Sequence, residues 1–206
     1  MQIAILLYEG VTALDAIGPY ETLSRLPDAR PVFVADRPGL VRNEKGSLGL
    51  FADAALGDVP TPDLIVVPGA PDTSGPRESA AVRDWLRAAD ATSTWTTSVC
   101  TGSLILAEAG LLTGRRATTH WHELDVLASY GVQATGDRVV TDGKYVTAAG
   151  VSSGIDMGLT LAGRIGGDRV AQSIQLLIEY DPQPPYDAGS PQKAPADIVA
   201  ELRPAA

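Results

Sequence analysis

Short apolar runs along the chain alternate with stretches whose apolar residues recur every three or four positions. Residues 2–8, with Ile3, Ile5, Leu6 and Leu7, predict a buried first strand. A second strand is predicted over 31–35, around Val32, Phe33 and Val34, and an edge strand over 48–52. Leu64, Ile65, Val66 and Val67 form another buried run, stopped by Pro68 and Gly69. Between 78 and 89, Val82, Trp85 and Leu86 mark the inner side of an amphipathic helix. Trp95, Thr96, Thr97 and Val99 suit a strand. From Thr101 the spacing turns helical through Leu104, Ile105 and Ala107, and Gly110 supplies the stop.

Breakers and turn residues divide the rest. Gly18 and Pro19 interrupt the segment after the first strand, and Pro19 suits the first turn of a helix running to about Leu26. Asp15 then falls in the preceding turn. A short helix is expected over 123–130, ended by Gly131. Alternating residues on both sides of Asp142 and Gly143 predict a β-hairpin. Helices over 155–165 and 168–180 follow, parted by Gly166 and Gly167, with the first rich in small residues and expected to lie buried. A Pro-rich C-terminal arm begins at about 181. Alternation of strands and helices predicts an α/β fold: a mostly parallel sheet sandwiched by helices, flavodoxin-like and three-layered, with one small hairpin. At 206 residues a single domain, 1–206, is expected.

Charge and composition narrow the function. The formal net charge is −9, against a nucleic-acid surface, which needs a basic stripe. No apolar run approaches bilayer length, and residues 1–8 lack the basic start and cleavage site of a signal peptide. One cysteine precludes an internal disulfide and fits a reducing compartment. A cytoplasmic protein that binds neither nucleic acid nor membrane is expected.

That cysteine, Cys100, stands at a strand-to-helix hinge, the arrangement that lifts a nucleophile out of a sheet edge. The N–H groups of the following helical turn should lower its pKa and stabilise a nearby oxyanion. A lone thiol is equally familiar as a small core residue, so the pattern leaves both uses open. Asp15, between Leu14 and Ile17, is either a helix cap or a carboxyl whose apolar neighbours raise its pKa. His120 and His122 are the only histidines, too few for a metal site by spacing, and no metal is expected. The small residues 148–154 allow backbone, at Gly150 and Val151, to approach a ligand or simply to pack tightly. Asp15, Gly69, Cys100 and Gly150 all follow predicted strands and should face one crevice.

At these residues the chain resembles the ThiJ/PfpI-like branch of the class I glutamine amidotransferase-like superfamily, and within it the isonitrile (isocyanide) hydratases. The resemblance runs from Ile3 to about Pro195. It is carried by Leu14, Asp15, Gly18 and Pro19, by Val67, Pro68 and Gly69, and by residues 97–103 around Cys100. Residues 116–121, the run Gly154, Ile155 and Asp156, and the tail from Glu179 to Pro191 add to it. It implies a cofactor-free homodimer acting on a small-molecule isonitrile. In that reading Cys100 is the nucleophile, Asp15 its acidic partner, and Thr101 stands beside them. Backbone N–H at Gly69 or Ala70 would serve the oxyanion, although Ala70 stands where many members have glycine. Ala148 and Ala149 replace a more glycine-rich loop, which alters pocket shape. Two other readings accompany this one. A glyoxalase-like conversion of 2-oxoaldehydes would pair the cysteine and acid with a histidine, His120. A redox or effector-sensing module would use the thiol without turnover.

Overall fold

A computed structural model of the chain describes residues 1–203. Strand β1 (Gln2–Leu6) leads into α1 (Ala13–Leu23) and back to β2 (Arg30–Ala35). Three short strands follow: β3 (Gly39–Arg42), β4 (Gly49–Ala52) and β5 (Ala54–Ala55). Next come β6 (Leu64–Val67), α2 (Ser74–Glu78), α3 (Ala80–Thr92), β7 (Trp95–Val99) and α4 (Gly102–Glu108). The small pair β8 (Arg116–Ala117) and β9 (Gln133–Ala134) brackets α5 (Leu124–Ser129). The hairpin β10 (Val139–Asp142) and β11 (Tyr145–Ala148) precedes α6 (Ser153–Gly166), α7 (Asp168–Leu177) and, past the arm, α8 (Ala196–Leu202).

The main sheet has seven strands in the order β10-β11-β7-β6-β1-β2-β5, parallel throughout except for the β10–β11 hairpin. Side chains alternate across a strand, and here both faces are apolar. Ala4, Leu6, Ile65 and Val67 pack against α3 and α4, through Val82, Leu86, Leu104 and Ile105. Ile3, Ile5, Leu64 and Val66 pack against α1 and α6, through Ala16, Leu23, Met157 and Leu161. Three layers result, as the alternation predicts. The hairpin turns at Gly143, whose φ of 61° suits glycine.

Several local readings differ. α1 begins at Ala13, not after Pro19, so Asp15 lies in its first turn and Pro19 in its interior. Gly18 and Pro19 serve helix packing instead of a break: a Cβ on Gly18 would meet Ile155 at 3.2 Å, and one on Gly154 would meet the Pro19 ring at 3.1 Å. α6 is small-sided because it crosses α1 closely, with Gly158 set directly against Thr22. The edge strand expected over 48–52 pairs with β3 in a separate two-stranded sheet. The helix expected from 78 is two, α2 and α3, parted at Ser79, whose hydroxyl caps the second by accepting from Val82 N–H at 3.3 Å. The arm is mostly exposed, as expected, but α8 was unforeseen among its polar and proline-rich surroundings. Among the described residues no helix is long and apolar enough to cross a membrane.

Candidate active site

Four parallel strands, β1, β6, β7 and β11, end on the same edge of the sheet, and the segments that follow them meet there. Cys100 is the turning residue after β7. Its φ is 56°, a left-handed conformation that disfavours a side chain. Its N–H is shared between the carbonyls of Ala148 and Ala149, at 3.0 and 2.9 Å. Its carbonyl accepts from the hydroxyls of Ser103 and Thr119, at 3.2 and 3.1 Å. Two glycines let the turn sit this deep. A Cβ on Gly102 would lie 2.0 Å from the Val67 carbonyl oxygen, and one on Gly69 would lie 2.5 Å from Thr101 N. Cys100 as a whole is 6% exposed.

Thr101 fastens the neighbouring loop. Its Oγ1 donates to the Ala70 carbonyl at 2.6 Å and accepts from the Ala70 N–H at 2.9 Å. The Gly69 N–H donates to Asp15 Oδ2 at 2.9 Å. Both N–H groups expected to serve an oxyanion are therefore already engaged within the protein. The backbone N–H groups of Val151 and Thr101 instead pull the thiol pKa down.

Asp15 does not cap its helix. It is fully buried, Oδ2 is held by Gly69, and Oδ1 has no hydrogen-bond partner among the described residues. Burial pushes its pKa up to about 7, against the pull of the Gly69 N–H and the Cys100 thiol, and the Glu44 carboxyl pushes the same way. Burial also drives Cys100 up, to about 12, reinforced by the Asp15 charge and opposed by the N–H groups of Val151 and Thr101. The thiol pKa expected to fall thus rises. α4 is only seven residues long, and its amides are outweighed by desolvation and by a carboxylate facing the sulfur. As pH rises the carboxyl therefore loses its proton well before the thiol does.

His120 and Gly150 are in contact: a Cβ on Gly150 would lie 2.9 Å from the imidazole. His120 Nδ1 accepts from the His122 N–H at 3.4 Å, and burial and His122 together lower its pKa. It therefore walls the loop that carries Val151. Among the described residues no group of three or more His, Cys, Asp or Glu side chains converges as a metal site. Two nearby residues escaped the reading of the sequence. Tyr8, two residues past β1, donates its hydroxyl to the Pro68 carbonyl at 2.9 Å. Glu44 is tied to the loop before α1 by its N–H, which donates to the Val11 carbonyl at 3.2 Å. Along the chain Tyr8 falls at the end of the strand expected over 2–8, with no sign of its hydroxyl's partner, and Glu44 gives no sign at all.

The DJ-1/PfpI family model matches residues 1–163, a span that includes every residue of this crevice. The chain belongs to the DJ-1/PfpI family. Among curated relatives it is 43% identical to the isonitrile hydratase of Pseudomonas putida over 203 residues, 98% of this chain and 89% of that protein. A shorter match, 35% over 129 residues, is to the HTH-type transcriptional regulator CdhR of Pseudomonas aeruginosa; it spans 62% of this chain and 38% of that one. Among solved structures, a THiJ/PfpI family protein from Pseudomonas syringae superposes with a TM-score of 0.94 at 36% identity, over 98% of this chain and 84% of that one. The DJ-1/PfpI sheet, with helices on both faces, is thus the architecture read from the apolar runs.

Proposed function

We propose that this DJ-1/PfpI protein is an isonitrile hydratase, converting R–N≡C and water to the N-substituted formamide. One observation carries the reading: a buried thiol and a buried carboxyl with one unpartnered oxygen meet at the ends of the parallel strands, and burial pushes that carboxyl up to about 7. The 43% identity to the Pseudomonas putida isonitrile hydratase supports it. An isonitrile carbon bears a lone pair, so it must receive a nucleophile and a proton at the same atom. Asp15 carboxylate takes the thiol proton as sulfur attacks the carbon, and returns it to that carbon. The product of this step is the thioimidate R–N=CH–S on Cys100. Water then adds to the same carbon, its proton passing by way of Asp15 to nitrogen. Collapse of R–NH–CH(OH)–S breaks the C–S bond, releases the formamide and returns the hydroxyl proton to sulfur. Backbone N–H of Thr101 and Val151 steadies the sulfur whenever it carries charge.

The site residues in this reading are Cys100, Asp15 and Thr101, with Gly69 and Ala70 holding the framework and Gly150, Val151 and His120 shaping the pocket. The molecule works as a cytoplasmic homodimer without cofactor; exposed Leu176 and Leu177 on α7 and Tyr186 on the arm supply apolar surface for the pairing. Incubating the protein with an alkyl isonitrile and, separately, with methylglyoxal tests the reading. Formamide from the first is the expected result. Turnover of methylglyoxal alone would replace it with the glyoxalase-like reaction, and no turnover of either would favour the sensing module.

A further inference from the structure

The peptide unit between Pro68 and Gly69 is gripped from both ends. Its carbonyl accepts from the Tyr8 hydroxyl at 2.9 Å, and its N–H donates to Asp15 Oδ2 at 2.9 Å. We propose that Tyr8 is a positioning residue of the reaction, fixing and polarising through this one peptide the amide that holds the Asp15 carboxyl. This rests on the hydratase reading only for the identity of the substrate.

Hydrogen bonds in series through an amide strengthen one another, because a donor on the oxygen draws electron density from the nitrogen. A better-polarised Gly69 N–H favours ionised Asp15, the form that accepts the thiol proton. The rest of the loop leaves the peptide little freedom. The Gly69 carbonyl accepts from Thr12 N–H at 2.9 Å, and the Tyr8 carbonyl accepts from Val11 N–H at 3.1 Å. Tyr8 and the start of α1 thus clasp the same loop, and moving one moves the other.

The phenol is suited to donate. Burial, Asp15, Cys100 and Asp72 all oppose its ionisation, so it keeps its proton wherever the enzyme could act. The ionisable groups acting on Asp15 are Cys100 from the elbow and Glu44 from the loop after β3, with Tyr8 on the far side of the peptide. Among the ring contacts described, Tyr8 makes no aromatic pair, so the hydroxyl is its distinctive contribution to this corner.

Tyr8→Phe removes one oxygen and little volume. Loss of ~10–30% of the strength of a hydrogen bond to a charged group raises the midpoint of Asp15 by about 0.1–0.7 pH unit. Two readouts report that midpoint. One is the rising limb of kcat for isonitrile turnover, with kcat itself falling about tenfold from misplacement while KM holds within about twofold. The other is the pH dependence of Cys100 alkylation by iodoacetamide, which needs no substrate, because the Asp15 charge alters the thiol. Site-specific 3-fluorotyrosine at position 8, a stronger donor, should move both midpoints the opposite way. Opposite shifts in the two variants are the expected result. Superimposed profiles, or shifts of the same sign, overturn the proposal. Should Tyr8→Phe fail to fold, the fluorotyrosine protein decides alone: a downward shift supports the role and any other result refutes it. Wild-type protein inert toward isonitriles would refute the hydratase reading instead, and the alkylation profile would still decide the role of Tyr8.

Discussion

Asp15→Asn should trade activity for stability, and the size of the trade follows from the geometry. Moving a buried carboxyl from its ordinary 3.8 to about 7 disfavours its ionised form by about 4 kcal/mol, at about 1.4 kcal/mol per pH unit. Between those values the folded chain still binds a proton that the unfolded chain has released. Stability therefore falls as pH rises from about 4 to 7 and levels off above. Asn has no charge to bury, and its carbonyl can still accept from the Gly69 N–H, so this fall should vanish. Urea unfolding at fixed protein concentration from pH 5.5 to 8.5 samples about half the effect. The variant should gain about 2 kcal/mol on the wild type across that window. Over the same range isonitrile turnover should drop by at least about 100-fold, the value of a lost proton relay. Cys100 should meanwhile alkylate faster at pH 8, since the charge that raises its pKa is gone. Parallel stability curves for the two proteins would refute the reasoning, because they would show Asp15 ionising as freely folded as unfolded.

Three other outcomes are expected. Cys100→Ser should fold normally and lose nearly all turnover, since a hydroxyl is far harder to deprotonate than a thiol; a steady-state assay with an alkyl isonitrile checks it. Gly158→Ala places a Cβ 1.8 Å from Thr22 Oγ1, so it should destabilise the α1–α6 crossing by about 1–3 kcal/mol in urea unfolding. Adding Thr22→Ala should restore part of that loss, and an additive double mutant would contradict the contact. Light scattering at micromolar concentration should return about twice the monomer mass, and a clean monomer would remove the dimer from the proposed function.

What could be read from the sequence was whatever a local pattern encodes. The runs at Ile3 and Leu64 became strands because both their faces are apolar, and the run at Trp95 because it is β-branched and aromatic. Asp142 and Gly143 turned a hairpin because Gly143 tolerates a positive φ. Cys100 was placed at an elbow by the change of period after it. Errors arose where distant segments meet. Gly18 and Pro19 look like a helix break along the chain, but their smallness and shape serve α6 across the interface. Asp15 stays open between a cap and a carboxyl of raised pKa along the chain, because nothing local shows that Gly69, 54 residues away, holds its oxygen. The thiol pKa was misjudged in sign, since the helix that lowers it is visible in the sequence and the burial that raises it is not. Tyr8 and Glu44 came to light only when the loops closed around Asp15.

The left-handed backbone at Cys100 bears on how such a site could be lost. A side chain in that conformation costs about 1–2 kcal/mol that glycine would not incur. A Cys100→Gly change would thus relax the elbow while removing the proposed nucleophile. Loss of a buried side chain and the greater backbone entropy of glycine offset that relief, so the fold gains little either way and stability alone does not preserve the thiol. Screens that enrich for robustness would be indifferent to inert descendants unless turnover is selected alongside.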